Sequence, residues 1–132
     1  MNASQIEARV KPVLIVGEQA LSIEDVVAVA RQEMQVALPT SAAWRELIQR
    51  GADFLDQLLL DEGVIYGVTT GYGDSCLVEI PMHQVNELPL HLSRFHGCGL
   101  GENLDLITAR AVVVTRLCSL ARGYSGVSLA LL

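Results

Sequence analysis

The stretch "VLIVGEQALSIEDVVAVARQEM", residues 13–34, decides how the fold begins. Its first four residues are apolar and partly β-branched, which favours a short strand, and Gly17 then predicts a turn. Ser22 and Asp25 follow at the spacing in which a hydroxyl caps a free backbone N–H and an acidic side chain favours the first helical turn. Because apolar residues then recur at helical spacing, the stretch predicts a strand, a turn and a helix.

The next stretch, "LPTSAAWRELIQRGADFLDQLLLDEG", residues 38–63, predicts a second helix. Thr40 or Ser41 would cap its start, and Gly63 lies where a left-handed glycine ends a helix. Gly51 weakens the middle of this helix and allows a kink there. The predicted buried face comprises Trp44, Leu47, Ile48, Leu55, Leu58 and Leu59.

The sequence pattern of the second half of the chain also predicts helices. "MHQVNELPLHLSRFHG" predicts a helix from about Pro89, or a longer helix from Met82 that is kinked at Pro89. "NLDLITARAVVVTRLCSLARG" predicts a long helix that ends at Gly123, and a last helix is expected from Ser125. We therefore predict a mainly α fold, with a short β-strand or hairpin near the N-terminus, in a single domain over residues 1–132.

The composition limits the class of protein. The chain has 132 residues, a net charge of −6 and Lys11 as its only lysine, so no basic patch is available to bind nucleic acid. No apolar run has the roughly 18 residues of a membrane-spanning helix, and "MNASQIEARVKP" does not resemble a signal peptide. We expect a cytoplasmic protein with no membrane partner and reduced thiols at Cys76, Cys98 and Cys118. The apolar end "LALL" leads us to expect a chain that is part of something longer, or one covered by another chain.

Common cofactor and metal motifs are missing. "GCGLG", residues 97–101, is not GxGxxG, and no P-loop or GxSxG pattern occurs. The histidines His83, His91 and His96 are eight and five residues apart, which does not match HExxH, so no metal site is expected. His96 follows Phe95 at a predicted helix end just before this glycine turn, where the wall of a pocket can form.

The glycine-tyrosine loop, "VIYGVTTGYGDS", residues 64–75, is the strongest candidate for a functional segment. Three glycines within seven positions predict a mobile loop, and its tyrosines and threonines present hydroxyl groups. Tight turns and half-buried packing tyrosines are the structural alternative. For Tyr66 to act as a base, its phenolate needs nearby positive charge or hydrogen bonds. A glycine-hinged loop can carry such a group over a substrate and exclude water.

Three segments together resemble a known family. "YGVTTGYG", residues 66–73, "SRFHGCGLG", residues 93–101, and "SLARGYSG", residues 119–126, are similar in order and spacing to the N-terminal portion of the aromatic amino acid ammonia-lyases. That family includes histidine, phenylalanine and tyrosine ammonia-lyases and related aminomutases. The resemblance implies that Tyr66 is the catalytic acid/base on a mobile lid, with Phe95 and His96 lining the substrate pocket. The implied lid residues are Gly67, Thr70, Gly71 and Gly73.

The resemblance leaves the substrate open among aromatic L-amino acids. Histidine-specific members typically have Ser-His at the position of Phe95-His96, phenylalanine-specific members Phe-Leu, and tyrosine-specific members His-Leu. Phe95-His96 is a hybrid of these pairs. Two further departures lie in the loop, with Thr69 where histidine-type enzymes tend to have Asn, and Tyr72 where Phe is usual.

The family's electrophile, 4-methylideneimidazole-5-one (MIO), forms from an internal Ala-Ser-Gly, and this sequence contains none. In relatives that tripeptide follows a few dozen residues beyond the position of Leu132. We therefore expect an N-terminal fragment of a MIO-dependent ammonia-lyase that is inactive alone, with a homotetrameric full-length form. The alternatives are a 2,3-aminomutase of the same family and a non-catalytic helical assembly module.

Overall fold

The computed structural model describes residues 10–61 and 63–132. It confirms a mainly helical fold with a short strand near the N-terminus. In chain order, the elements are β1 (Val13–Ile15), α1 (Ile23–Ala30), β2 (Gln35–Ala37), α2 (Ala42–Leu60), a 3₁₀ turn (Gly73–Ser75), α3 (Met82–Val85), α4 (Leu88–His96) and α5 (Leu106–Leu120).

The predicted strand β1 pairs with β2 in parallel, with Leu14 opposite Val36. A parallel pair requires a crossover connection, which α1 provides, so the hairpin alternative is not formed. The predicted cap of α1 is confirmed: Ser22 Oγ accepts a hydrogen bond from the Asp25 N–H at 3.1 Å, and the Asp25 carboxylate accepts one from the Ser22 N–H at 3.1 Å. The Ser22 hydroxyl also donates to Asp25 Oδ2 at 2.7 Å, and this bond, together with the one from the Ser22 N–H, holds the pKa of the Asp25 carboxyl below its ordinary value.

Helix α1 packs along α5. Val29 and Ala30 are buried at the end of α1, and Val114 is buried in the middle of α5. The Arg110 side chain reaches from α5 to the Ala30 carbonyl oxygen at 3.3 Å. The stretch from Ala111 to Thr115, which could pass for a strand, is helical as predicted.

Helix α2 begins at the predicted position and is capped by Ser41, whose Oγ accepts a hydrogen bond from the Trp44 N–H at 3.3 Å. It runs through Gly51 without interruption. Its buried face is narrower than predicted: Trp44 and Ile48 are buried, whereas Leu47 is 37% exposed. Leu55, Leu58 and Leu59 are only partly buried.

The core is a junction of residues from distant parts of the chain, formed by Val16, Trp44, Ile48 and Ala121. Trp44 Nε1 donates a buried hydrogen bond to the Ala121 carbonyl oxygen at 2.9 Å, across 77 residues of sequence. Gly17 turns with φ +89° directly over Ala121, and a Cβ at Gly17 would lie 2.7 Å from that same oxygen. The junction therefore fixes the end of β1, the start of α2 and the end of α5 to one another.

The prediction of a last helix from Ser125 is wrong. The chain after α5 has no helix in the described residues and instead lies against α2 in an irregular path, with a turn from Ser128 to Leu131. Gly123 and Gly126 both have positive φ, which a right-handed helix does not accommodate. A Cβ at Gly126 would lie 3.2 Å from Leu55 Cδ2, so contact with α2 decides the path of this segment.

The region around Pro89 forms two helices. Met82–Val85 is a separate short helix, and Pro89 lies in the first turn of α4, which supports a start near Pro89 rather than one kinked helix. Across the described ranges, no helix is both long enough and apolar enough to cross a membrane. The three cysteines are free, with Cys76 and Cys98 exposed and Cys118 partly buried.

Candidate functional site

Tyr66 lies near the start of the glycine-tyrosine loop, and its side chain is 65% exposed. Its hydroxyl oxygen accepts a hydrogen bond from the Gly73 N–H at 3.0 Å. Its ring meets the Tyr72 ring edge-on, with the centroids 6.4 Å apart. Gly67 has φ +71°, and a Cβ there would lie 2.7 Å from the Tyr72 ring, so this position requires glycine. The phenol is thus held within the loop while it faces solvent.

The loop is closed at its base by the segment Val78–Ile80, which returns alongside it. Thr70 forms an isolated antiparallel bridge with Glu79. The Gly71 N–H donates to the Val78 carbonyl oxygen at 3.0 Å, and the Ile80 N–H donates to the Thr69 carbonyl oxygen at 2.9 Å. These are local contacts, because the partners are at most eleven residues apart in sequence.

The two threonine hydroxyls face into the loop. Thr69 Oγ1 accepts from the Ile65 N–H at 2.8 Å, and Thr70 Oγ1 accepts from the Gly67 N–H at 3.2 Å. Thr70 is only 4% exposed. The sequence predicted that this loop presents hydroxyl groups, and the structure divides them: the threonines bind the loop's own backbone, whereas Tyr66 remains exposed.

Phe95 and His96 lie at the C-terminal end of α4, where both are exposed. Their rings contact each other, with centroids 5.4 Å apart at an interplanar angle of 53°. Within residues 10–61 and 63–132, no hydrogen bond or aromatic contact joins this pair to Tyr66. That Phe95 and His96 share a substrate pocket with Tyr66 therefore stays a prediction.

Two grooves border the loop. One of about 540 Å³ lies beside its base and is lined by residues that include Val64, Thr69 and Glu79. Another of about 510 Å³ runs along α2 and brings Ile65 near the segment Gly123–Gly126. No group of three or more His, Cys, Asp or Glu side chains in the described part of the chain could hold a metal ion.

The sequence alone did not predict that residues 119–126, "SLARGYSG", have a structural role in the packing of the fold. Ala121 is completely buried in the junction, and a Cβ at Gly51 would lie 2.7 Å from the Gly123 carbonyl oxygen. The glycine in the middle of α2 therefore permits close approach of a distant backbone rather than a kink. The available signal was a glycine inside an otherwise regular helix, which often marks a packing constraint.

Comparison with known proteins places the chain in a family. The family model described as "Aromatic amino acid lyase" matches residues 21–132. A histidine ammonia-lyase of Clostridium tetani (strain Massachusetts / E88) is 36% identical over 118 residues, which cover 89% of this chain and 22% of that protein.

Solved structures of similar proteins support the same family assignment. A tyrosine aminomutase from Streptomyces globisporus is similar with a TM-score of 0.76 and 32% identity, over 89% of this chain and 22% of that chain. The Pantoea agglomerans phenylalanine aminomutase is similar with a TM-score of 0.76 and 28% identity, over 91% of this chain and 23% of that chain. This chain thus spans about a fifth of the length of the relatives that it matches. The match over residues 21–132 and the shared fold show that the chain belongs to the aromatic amino acid lyase family.

Proposed function

We propose that the protein carrying this chain eliminates ammonia from an aromatic L-amino acid to give an arylacrylate, with Tyr66 as the acid/base group. The observation that carries the proposal is the position of the phenol: Tyr66 is 65% exposed on a loop that the family model covers, and its oxygen is oriented by the Gly73 N–H. Family membership favours a lyase parent over a non-catalytic module.

In the proposed reaction, Tyr66 in its deprotonated form takes the proton from the β-carbon of the substrate and becomes the neutral phenol. The Cα–N bond breaks, a carbon–carbon double bond forms, and the amine leaves as ammonia. Tyr66 Oη accepts one hydrogen bond, from the Gly73 N–H, and no second hydrogen bond to this oxygen is formed among the described residues. That arrangement leaves one side of the oxygen available to a substrate.

The residues of this chain do not fit the formation of the MIO group. The nearest tripeptide is Tyr124-Ser125-Gly126, which lacks the alanine and is packed against α2 through Gly126. When bound, MIO would supply an electrophile that makes the amino group a leaving group, and we propose that polypeptide outside this sequence carries it in the parent enzyme. We further propose that the full-length form is a homotetramer.

The substrate class follows from Phe95 and His96, which would line the pocket for the aromatic side chain. Both are exposed at the end of α4, so they are accessible to a ligand or to further polypeptide. His96 can hydrogen-bond a polar ring, and Phe95 adds an apolar wall. This pair supports an aromatic L-amino acid and leaves histidine, phenylalanine and tyrosine as candidates.

A 2,3-aminomutase is the second candidate, favoured by the similarity to tyrosine and phenylalanine aminomutase structures. Such an enzyme returns the amine to the β-carbon instead of releasing it. Product analysis with each aromatic amino acid separates the two: ammonia with arylacrylate indicates a lyase, and a β-amino acid indicates a mutase.

The decisive variant is Tyr66→Phe in the protein that carries this chain. We expect turnover to fall by about 100- to 10,000-fold, because proton transfer by a positioned side chain contributes that much. Tyr72→Phe is the matched control, since it removes a hydroxyl from the neighbouring ring and keeps the ring contact. Full activity of Tyr66→Phe would overturn the proposed role of Tyr66.

The 132-residue chain alone should not turn over substrate, because it contains no Ala-Ser-Gly. Incubation with histidine, phenylalanine and tyrosine, followed by arylacrylate absorbance, tests this expectation. Product formation by the purified chain would contradict it.

A further inference from the structure

We propose that the hydroxyls of Thr69 and Thr70 are a clip that positions Tyr66, so that both threonines are positioning residues for the proton step. This inference rests on the proposed function of Tyr66. It starts from one geometric fact: the peptide N–H groups on either side of Tyr66 are bound by the hydroxyls of two consecutive threonines.

The first half of the clip is Thr69. Its Oγ1 accepts from the Ile65 N–H at 2.8 Å and donates to the Gly63 carbonyl oxygen at 2.9 Å. A second bond joins the same residues through the backbone, from the Thr69 N–H to the Ile65 carbonyl oxygen at 3.0 Å. The hydroxyl thus connects the chain before Tyr66 to the chain after it, and only a side chain that both donates and accepts can do so.

The second half is Thr70. Its Oγ1 accepts from the Gly67 N–H at 3.2 Å and donates to the Gly71 carbonyl oxygen at 3.0 Å. Thr70 is 4% exposed, so water cannot readily replace either bond. Gly67 adopts φ +71°, and the bond to its N–H holds the backbone in that conformation directly after Tyr66.

The threonines are themselves held in place. Thr70 pairs with Glu79, and the Thr69 carbonyl oxygen accepts from the Ile80 N–H at 2.9 Å. The return segment therefore fixes the threonines, and the threonines fix the peptide groups that flank Tyr66. The tip around Gly73 lies outside this clip and has open space around it, and it contacts Tyr66 through the Gly73 N–H and the Tyr72 ring.

The test uses Thr69→Val and Thr70→Val in the protein that carries this chain, because valine keeps the branched shape and removes the hydroxyl. Thr69→Ser and Thr70→Ser retain the hydroxyl and serve as matched variants. Thr115→Val is a further control, because the exposed Thr115 hydroxyl bonds the Ala111 carbonyl oxygen of its own helix α5 and no residue of the loop.

The first measurement is hydrogen exchange over residues 63–71, which does not depend on activity. Each valine variant should raise exchange at its own partner amide by about 10-fold, at Ile65 for Thr69 and at Gly67 for Thr70, since a lost hydrogen bond has that effect. The serine variants and Thr115→Val should leave it unchanged. Unchanged exchange in the valine variants would overturn the clip.

The second measurement is turnover. The valine variants should lower kcat by about 10-fold or more with little change in KM, since a misplaced proton-transfer group is a defect of the chemical step. The serine variants should restore kcat. If the serine variants lose as much kcat as the valine variants, the proposed role of the hydroxyls is overturned. If a valine variant fails to fold, its serine variant still provides the test, and a loss of kcat there would overturn the role.

The two proposals can fail separately. If Tyr66→Phe retains activity, the proposed function of Tyr66 fails, whatever the exchange data show. If Tyr66→Phe abolishes activity while the valine variants keep the kcat of the unmodified protein, the proposed function stands and the positioning inference fails.

Discussion

The junction and the glycine-tyrosine loop are built in opposite ways. The junction joins Val16, Trp44, Ile48 and Ala121, which come from three distant parts of the chain and are almost completely buried. The loop is held by hydrogen bonds between residues at most eleven apart in sequence, and its Tyr66 side chain is 65% exposed. Tertiary packing therefore secures the framework, whereas local hydrogen bonds and the contact with the Tyr72 ring present the proposed reactive group.

This difference predicts where substitutions affect stability and where they affect only chemistry. A buried side chain that contacts several elements loses both packing and hydrogen bonding when it is truncated. An exposed side chain on a locally closed loop can be changed with little effect on unfolding.

The largest expected effect is that of Trp44→Ala, which removes the central side chain of the junction and leaves the Ala121 carbonyl oxygen without its donor. We expect the free energy of unfolding to fall by about 4 kcal/mol. Tyr66→Phe should change it by less than about 0.5 kcal/mol. Denaturant unfolding of both variants measures the contrast, and equal destabilisation by the two would contradict the division into framework and loop.

Gly51→Ala tests the contact between α2 and the segment after α5. In a free helix this change is stabilising by roughly 1 kcal/mol, but here the new methyl group would lie 2.7 Å from the Gly123 carbonyl oxygen. We expect net destabilisation by about 2 kcal/mol. Ala52→Gly, at the adjacent helical position, is the matched control for helix propensity. If Gly51→Ala instead stabilised the protein, the backbones of α2 and of the segment after α5 would separate easily, which would contradict a close contact between them.

The reactivity of the cysteines provides a further test of the difference between the buried junction and the exposed segments. Burial, and secondarily the Asp25 carboxylate, raise the pKa of the Cys118 thiol, which packs against the junction. Because the thiolate is the nucleophile, alkylation of Cys118 should be several-fold slower than that of Cys76 or Cys98 near neutral pH.

The rate at Cys118 should continue to rise with pH above the ordinary thiol pKa, since a raised pKa keeps the thiol protonated to higher pH. Mass spectrometry of alkylated peptides follows each cysteine, and the denatured protein is the control in which the three rates should converge. A Cys118 that reacts as fast as Cys76 in the native protein would contradict its protected position.

The smallest expected effect concerns the end of α1. Gln32 has φ +61°, the conformation that favours glycine after a helix, and the Glu33 N–H donates to the Ala28 carbonyl oxygen at 2.8 Å. Gln32→Gly should raise the free energy of unfolding by about 0.5–1 kcal/mol by relieving this strain. Gln35→Gly in β2 is the contrasting control, because there the backbone is extended and glycine should destabilise.

The sequence by itself determined the local features of this protein. The Ser22–Asp25 capping box, the start of α2 after a cap at Thr40 or Ser41, and the helical period of α5 follow from interactions between residues a few positions apart. The ordered motifs also identified the family correctly, since they depend on residue type and spacing alone.

The tertiary structure decided what depends on residues that are distant in sequence. A helix from Ser125 was expected from the apolar pattern, yet contact with α2 and the positive φ values of Gly123 and Gly126 give that segment an irregular path. The parallel pairing of β1 and β2 and the bond between Trp44 and Ala121 have no local signature either. The direction of the threonine hydroxyls likewise depends on how the return segment closes the loop, because a hydroxyl can bind either solvent or its own backbone until that closure is fixed.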